Sequence, residues 1–351
     1  MDRKVLKWIT AIVAALCTTF CGVVTFFPQI HEQSVLASQE NYDGLDYGDG
    51  IGPDGYNPED VVSDEANLGA QLKIELPPGL TMEDLRISND YLTQTVFIKI
   101  PVESQDYFAD YQVKGSCDHI AAISYYREGK KGVIALSMDQ VFELSQDYAD
   151  GYLYLDFVDP HDIFDKVIVI DAGHGGRAVG ATKLGISEKD INLAIVLELK
   201  KLLDEDEKIG VYYTRVNDSN PSLDQRVALA NKVQADLFIS VHNNASSGGV
   251  LTNDHGTQVL YSQSDTSELS SKHLAEICLD QVVDATGSKA SGLVKGDDIR
   301  IIKNSEVPVA LVEAGFMSNR QELELLNTQE YQAQIAAGIY AAIQQAFEEG
   351  Y

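Results

Sequence analysis

Two regimes of hydrophobic spacing divide the chain. From 67 to 160, apolar and polar side chains alternate in short runs: "AQLKIEL" (70–76), "TVFIKIP" (95–101), "AAISYYRE" (121–128), "KGVIALSM" (131–138) and "GYLYLDFV" (151–158). Gly, Asp, Asn and Pro separate them. Successive side chains of a strand point to opposite faces, so period-two runs rich in β-branched and aromatic residues read as half-buried strands. This stretch predicts a small β-sandwich-like domain. His119 and His161 have no partners there at metal-ligand spacing. The domain therefore reads either as a passive spacer or as a binding module.

From 166 onward the pattern changes. "KVIVID" (166–171), "VYYTR" (211–215), "DLFISVH" (236–242), "TQVLY" (257–261) and "VALVEAG" (309–315) alternate with helical stretches. The first, third and last are continuous apolar runs, as expected of parallel strands covered on both faces. Between them, "SEKDINLAIVLELKKLL" (187–203) and "SLDQRVALANKVQA" (222–235) space apolar residues by three and four, the step of an amphipathic helix. The first opens with Ser187 and, three residues on, Asp190, the pattern of a capping box. A closing helix (328–347) aligns Tyr331, Ile335, Ile339, Ile343 and Phe347 in one stripe. Residues 166–351 thus predict an α/β domain, a mainly parallel twisted sheet flanked by helices.

The N-terminal part carries a different signal. "MDRKVLK" is basic, and the charge-free run 8–27 that follows is long enough, at about 1.5 Å per residue, to cross a hydrocarbon layer of roughly 30 Å. A secretory apolar region is usually shorter, and the small-residue tripeptide "VLA" (35–37) lies far from the run. Residues 1–37 therefore read as a signal anchor, with a cleaved signal peptide as the alternative. Either way, basic residues stay on the cytoplasmic side, so the remainder is extracytoplasmic and membrane contact runs through this segment. Residues 38–66 hold nine Asp or Glu, five Gly, two Pro and no Lys or Arg, which predicts an acidic disordered linker. A calcium loop fits poorly, because "DYGDGIGPDG" lacks the spacing that ends in a bidentate Glu.

Charge and cysteine count narrow the chemistry. With 54 acidic against 26 basic residues, a formal net charge of −28, the chain lacks the basic patch that nucleic acid demands. Cys117 and Cys278, the two cysteines outside the apolar run, fall in different predicted domains and give no disulfide scaffold or thiolate metal site. A bound metal would need His and carboxylate ligands. "DAGHGG" (171–176) sets His174 just past the first strand of the α/β domain. His242 ends "DLFISVH", Glu313 ends "VALVE", and Glu188 stands in the first turn of the helix that the glycine loop feeds. In an open α/β sheet, ligands collect at the carboxyl ends of strands. Two His and one Glu around an open position can hold a catalytic zinc, and a further carboxylate can move the proton of a zinc-activated water. Residue type leaves open which Glu plays which part. His255 is a competing third ligand, though it would lie at the opposite sheet edge if "TQVLY" runs parallel with the other strands. His273 reads as solvated or packed within its helix.

The ordered series "VIVIDAGHGG", "EKDINLAIVLELKKLL", "RVALANKVQADLFISVHNNA" and "VPVALVEAGFMSN" resembles the zinc-dependent N-acetylmuramoyl-L-alanine amidases of the Amidase_3 family, over about 166–348. The resemblance implies one Zn²⁺ per chain, held by His174, Glu188 and His242, with Glu313 as the catalytic base. It implies peptidoglycan as substrate, cut between the lactyl group of muramic acid and L-alanine, and a cell-wall location. The 67–160 region is loosely similar to the wall-targeting modules that precede such domains. Arg226 reads as a contact for a substrate carboxylate or as a brace for a nearby Asp or Glu. Asn244 and its neighbour Asn243 read as glycan contacts or as aids to His242, and Lys295 as a stem-peptide contact or a solvated loop residue. No motif names a protein regulator. Two rivals remain: another zinc peptidase acting on stem peptides, and a non-catalytic wall-binding protein.

Overall fold

The computed structural model describes residues 58–63, 69–116, 118–246 and 250–351. The apolar run 8–27 and the first part of the acidic segment lie outside them. Among the described residues, no helix is long and apolar enough to cross a membrane.

The alternating runs fold into two sheets packed face to face. One has the order Val62–Ser63, Val113–Gly115, Leu72–Glu75, Tyr152–Val158, Glu143–Ala149; the other runs Arg86–Asp90, Thr95–Ile100, Lys131–Met138, Ile120–Glu128. Leu72, Ile74, Leu153 and Leu155 from the first meet Ile98, Ile100, Ile123 and Leu136 from the second in one core. Arg86–Asp90, Val113–Gly115 and Glu143–Ala149 were not foreseen as strands, because their sequences ("RISND", "VKG", "ELSQDYA") are polar or too short to set a period. Within the acidic segment, residues 58–63 are described. Pro58–Val61 is a helical turn, and Val62–Ser63 pairs in parallel with Val113–Lys114. Val62 reaches the sandwich core, which anchors this short stretch.

The second part is a six-stranded mixed sheet in the order Ile209–Tyr213, Lys166–Ala172, Leu237–Asn244, Val309–Phe316, Thr257–Tyr261, Ala290–Lys295. The first four strands are parallel. "TQVLY" is not parallel to them: Thr257–Tyr261 runs antiparallel to Val309–Phe316, with Gln258 opposite Glu313. Ala290–Lys295, unforeseen as a strand, then pairs in parallel with Thr257–Tyr261 at the edge. Alternate residues of Lys166–Ala172 feed two cores. Ile168 and Ile170 pack beneath helices Glu188–Leu203, Ser271–Thr286 and Gln329–Glu348. Val167 and Val169 face helix Leu223–Lys232 and, beyond it, Tyr91, Leu92 and Val141 of the sandwich part. The two parts thus share a core. At this seam the buried Glu143 accepts hydrogen bonds from Tyr91 (3.0 and 2.9 Å) and Tyr212 (2.6 Å).

Ser187 precedes the Glu188–Leu203 helix, but its side chain caps nothing. Its backbone belongs to the two-stranded ribbon Thr182–Lys183 with Ile186–Ser187, and the Glu188 N–H donates to Ala181 O at 2.8 Å. A full capping box forms instead on the next helix, between Ser222 and Gln225.

Candidate metal and acid–base site

Three strand or helix ends converge because the parallel strands share one carboxyl edge. Past Ala172 the chain turns sharply: the Gly173 N–H donates to Val241 O at 3.0 Å, and His174 takes the left-handed conformation with φ 64°. Gly173 is dictated by proximity. A Cβ there would lie 2.2 Å from Nε2 of His242, far inside van der Waals contact. Gly180 is required for the same reason, since its Cβ would meet Glu188 Oε2 at 2.5 Å.

His174, Glu188 and His242 come together so that one ligand atom of each lies within 4.8 Å of the others. Glu188 Oε1 is 3.1 Å from His174 Nε2 and 2.9 Å from His242 Nδ1. Ligands about 2.0–2.1 Å from a tetrahedral ion stand roughly 3.3 Å apart, so this donor set fits a small divalent metal of the zinc type. The other oxygen, Oε2, accepts from the Ala181 N–H at 2.8 Å, which fixes the carboxylate with Oε1 toward the imidazoles. Burial raises the Glu188 pKa, but hydrogen bonds from His174 and His242 outweigh it and hold this carboxyl well below the usual range. It is ready to ligate as the anion.

Glu313 lies beside His242 in parallel register on the neighbouring strand, so both side chains leave the same sheet face. Its Oε2 is shut off from solvent and has no hydrogen-bond partner. Burial pushes its pKa up to about 7, with Glu188 adding to the rise and His242 opposing it. A carboxyl poised near neutrality can both take and give a proton. Next to the imidazoles opens a cavity of about 440 Å³, lined by Gly173, His174, His242, Pro221, Leu223 and Ile301 among others.

The remaining candidates take other positions. Arg226 is buried with its guanidinium engaged with Asp171 at 2.5 Å, the bracing alternative, and it also lines the cavity. Asn244 is half-buried on the His242 strand, where its amide donates to Gln258 Oε1 at 2.9 Å. Lys295 is not brought to the triad: it ends the edge strand opposite Tyr261, three positions along from the Gln258–Glu313 pair and two strands away. His255 precedes a strand whose direction is reversed, so it belongs to the same sheet edge as the triad. It is nonetheless exposed, with Nδ1 2.9 Å from Asn253 O, and lies outside the metal-type cluster. His273 pairs with Glu349 at 2.5 Å on the surface. Sequence reasoning missed Asn192, wholly buried, whose Nδ2 lies 3.0 Å from Gly173 O and 3.4 Å from Glu188 Oε1. It also missed Arg215 and Asp171; a charged residue closing a strand covered on both faces was the available signal.

Comparison with known proteins supports a family assignment. The model of the Amidase_3 family, described as N-acetylmuramoyl-L-alanine amidase, matches residues 168–345. The chain is 36% identical over 184 residues to the uncharacterized protein YqiI of Bacillus subtilis strain 168, covering 52% of this chain and 86% of that protein. It is 33% identical over 180 residues to the N-acetylmuramoyl-L-alanine amidase LytC of the same organism, covering 51% of this chain but 35% of LytC. The crystal structure of an N-acetylmuramoyl-L-alanine amidase from Clostridium difficile 630 superposes with a TM-score of 0.50 at 29% identity, over 53% of this chain and 98% of that one. The triad and Glu313 all fall within the matched residues, and the chain belongs to the Amidase_3 family of N-acetylmuramoyl-L-alanine amidases.

Proposed function

We propose that the chain is a peptidoglycan hydrolase that cleaves the amide between the lactyl group of N-acetylmuramic acid and L-alanine, with zinc as its metal. The observation that carries this reading is the His174–Glu188–His242 cluster beside a buried, unpartnered Glu313 Oε2. When bound, zinc acidifies a water and polarises the scissile carbonyl. His174, Glu188 and His242 are the residues that would hold it. Glu313 Oε2 accepts the proton of the attacking water and delivers it to the alanine nitrogen as that bond breaks. Its burial next to His242, without a hydrogen-bond partner among the described residues, leaves Oε2 available for both transfers. The cavity beside the triad receives the substrate, and its largely apolar wall of Pro221, Leu223 and Ile301 keeps bulk water from the reacting amide. The substrate sets the reaction outside the cytoplasmic membrane, in keeping with the export signal read in residues 1–37.

Mass spectrometry of digested walls tests the proposal. The expected products are glycan with a free muramic-acid lactyl carboxyl and intact peptides that begin with L-alanine, and both should vanish with a chelator. Shortened stem peptides would make the chain a peptidase of another bond; unaltered walls would leave only wall binding.

A further inference from the structure

Behind the triad lies a charged cluster that the proposed reaction does not use. Arg215 and Arg226 are almost completely enclosed, at 0% and 2% exposure. Arg226 Nη1 donates to Asp171 Oδ1 at 2.5 Å and to Ala172 O at 2.8 Å, Nη2 to His174 O at 2.6 Å, and Nε to Pro221 O at 3.0 Å. Arg215 Nε donates to Ala172 O at 2.8 Å, Nη2 to Gly173 O and Lys189 O, each at 2.9 Å, and Nη1 to Asn217 O at 2.9 Å. Every carbonyl from 172 to 174 therefore accepts from a guanidinium. Asp171 is itself fixed by Thr214 Oγ1 and Ser240 Oγ, both at 2.6 Å.

This arrangement is costly if its purpose is stability alone. Two guanidiniums leave water while, among the described residues, Asp171 is the one carboxylate bonded to either of them, and an apolar cluster would fill the space with less desolvation. What the guanidiniums supply is a fork of fixed geometry able to hold two or three carbonyls at once. The segment they hold needs such restraint. His174 sits at φ 64°, a conformation that L residues avoid unless their surroundings over-determine it. Because Lys189 follows Glu188, Arg215 also ties the loop of one triad member to the helix of another.

We propose that Arg215 and Arg226 are positioning residues, which clamp the left-handed His174 backbone so that its imidazole faces Glu188 and His242 before the metal arrives. The proposal rests on the reading of the triad as a zinc site. It predicts that metal affinity depends on the forks and not on the positive charge.

Arg226→Lys and Arg215→Lys, made in the full chain, test it, because each keeps the charge and loses the fork. Zinc affinity is measured by competition with a chromogenic chelator, and the melting temperature is recorded separately in EDTA. Each variant is expected to bind zinc roughly 10- to 100-fold more weakly at temperatures where it is fully folded. Arg300→Lys, at an exposed arginine paired with Asp224, is the control and should bind as the wild type. Folded Arg215→Lys and Arg226→Lys proteins with wild-type zinc affinity and only a lowered melting temperature would overturn the proposal. If one lysine variant fails to fold, the other decides. If both fail, Thr214→Val decides, since loosening Asp171 should weaken zinc binding by roughly three- to tenfold and unchanged affinity would count against the clamp. A wild-type chain that binds zinc tightly yet releases no lactyl carboxyl would sink the amidase reading and leave the clamp standing.

Discussion

The sandwich and the α/β domain both bury polar side chains, but they dispose of them differently. In the sandwich part the four most deeply buried polar residues, Asn89, Asp90, Thr95 and Glu143, are each answered close by. Asp90 closes its own turn by accepting from the Leu92 and Thr93 N–H groups, Asn89 bonds Phe142 O, and Glu143 is taken up by two tyrosines at the seam. In the α/β domain Asp171, Glu188, Asn192, Arg215, Arg226 and Asn243 crowd around the end of one strand. Within and beside that crowd, Asn243 Oδ1 and Glu313 Oε2 are enclosed without a hydrogen-bond partner among the described residues. Buried polarity alone therefore does not mark a site. Buried polarity that gathers metal-type ligands beside a cavity does.

The glycines offer a sharp way to break this comparison. Gly173→Ala should drive a methyl into the His242 ring, lowering zinc affinity at least tenfold and activity by roughly two orders of magnitude or more. Gly129, at φ 61° on a turn with nothing within 4 Å of a Cβ, is the counterpart in the sandwich. Gly129→Ala should cost about 1 kcal/mol of stability and leave turnover alone. Equal losses of activity in the two variants, read by wall digestion and chemical denaturation, would erase the distinction.

A smaller effect separates the regions by pH. In chelated protein the fold raises the Glu313 pKa from 4.5 to about 7, so it favours the protonated carboxyl. The resulting stability is fully present below about pH 4.5 and is lost as pH rises through 7. Relative to Glu313→Gln, the wild type should therefore lose up to about 3 kcal/mol across that window. Denaturation curves of both proteins in EDTA at several pH values would check it; a difference that stays flat with pH would contradict the buried-acid description. The seam offers a smaller effect than this pH window. Tyr212→Phe should cost about 1–2 kcal/mol by depriving Glu143 of one donor. Zinc content and kcat should not change, and a loss of either would mean that the seam and the site are coupled.

Part of this was legible in the sequence because metal and acid–base chemistry admit few residue types. His174, Glu188, His242 and Glu313 stood out as such residues at predicted strand or helix ends, and the structure gathers the first three. The direction of "TQVLY" was not legible, because a strand's orientation depends on its connections and not on its own apolar pattern. The same ambiguity misplaced His255. Ser187 looked like a cap, but the ribbon it belongs to left its side chain without a capping bond. Arg226 and Arg215 were underread for a further reason. Their partners lie 55 and 43 residues away in sequence, at Asp171 and Ala172, so no local pattern could show the clamp.

The central claim is that one glutamate holds metal while another moves protons. Zinc content and activity measured side by side on Glu188→Gln and Glu313→Gln test it most directly. Glu313→Gln should retain about one zinc per chain while losing roughly two to four orders of magnitude in activity, because the ligand set is whole and the proton acceptor is gone. Glu188→Gln should lose both tightly held zinc and activity. A metal-free Glu313→Gln protein beside a zinc-loaded Glu188→Gln protein would contradict the account and exchange the two roles.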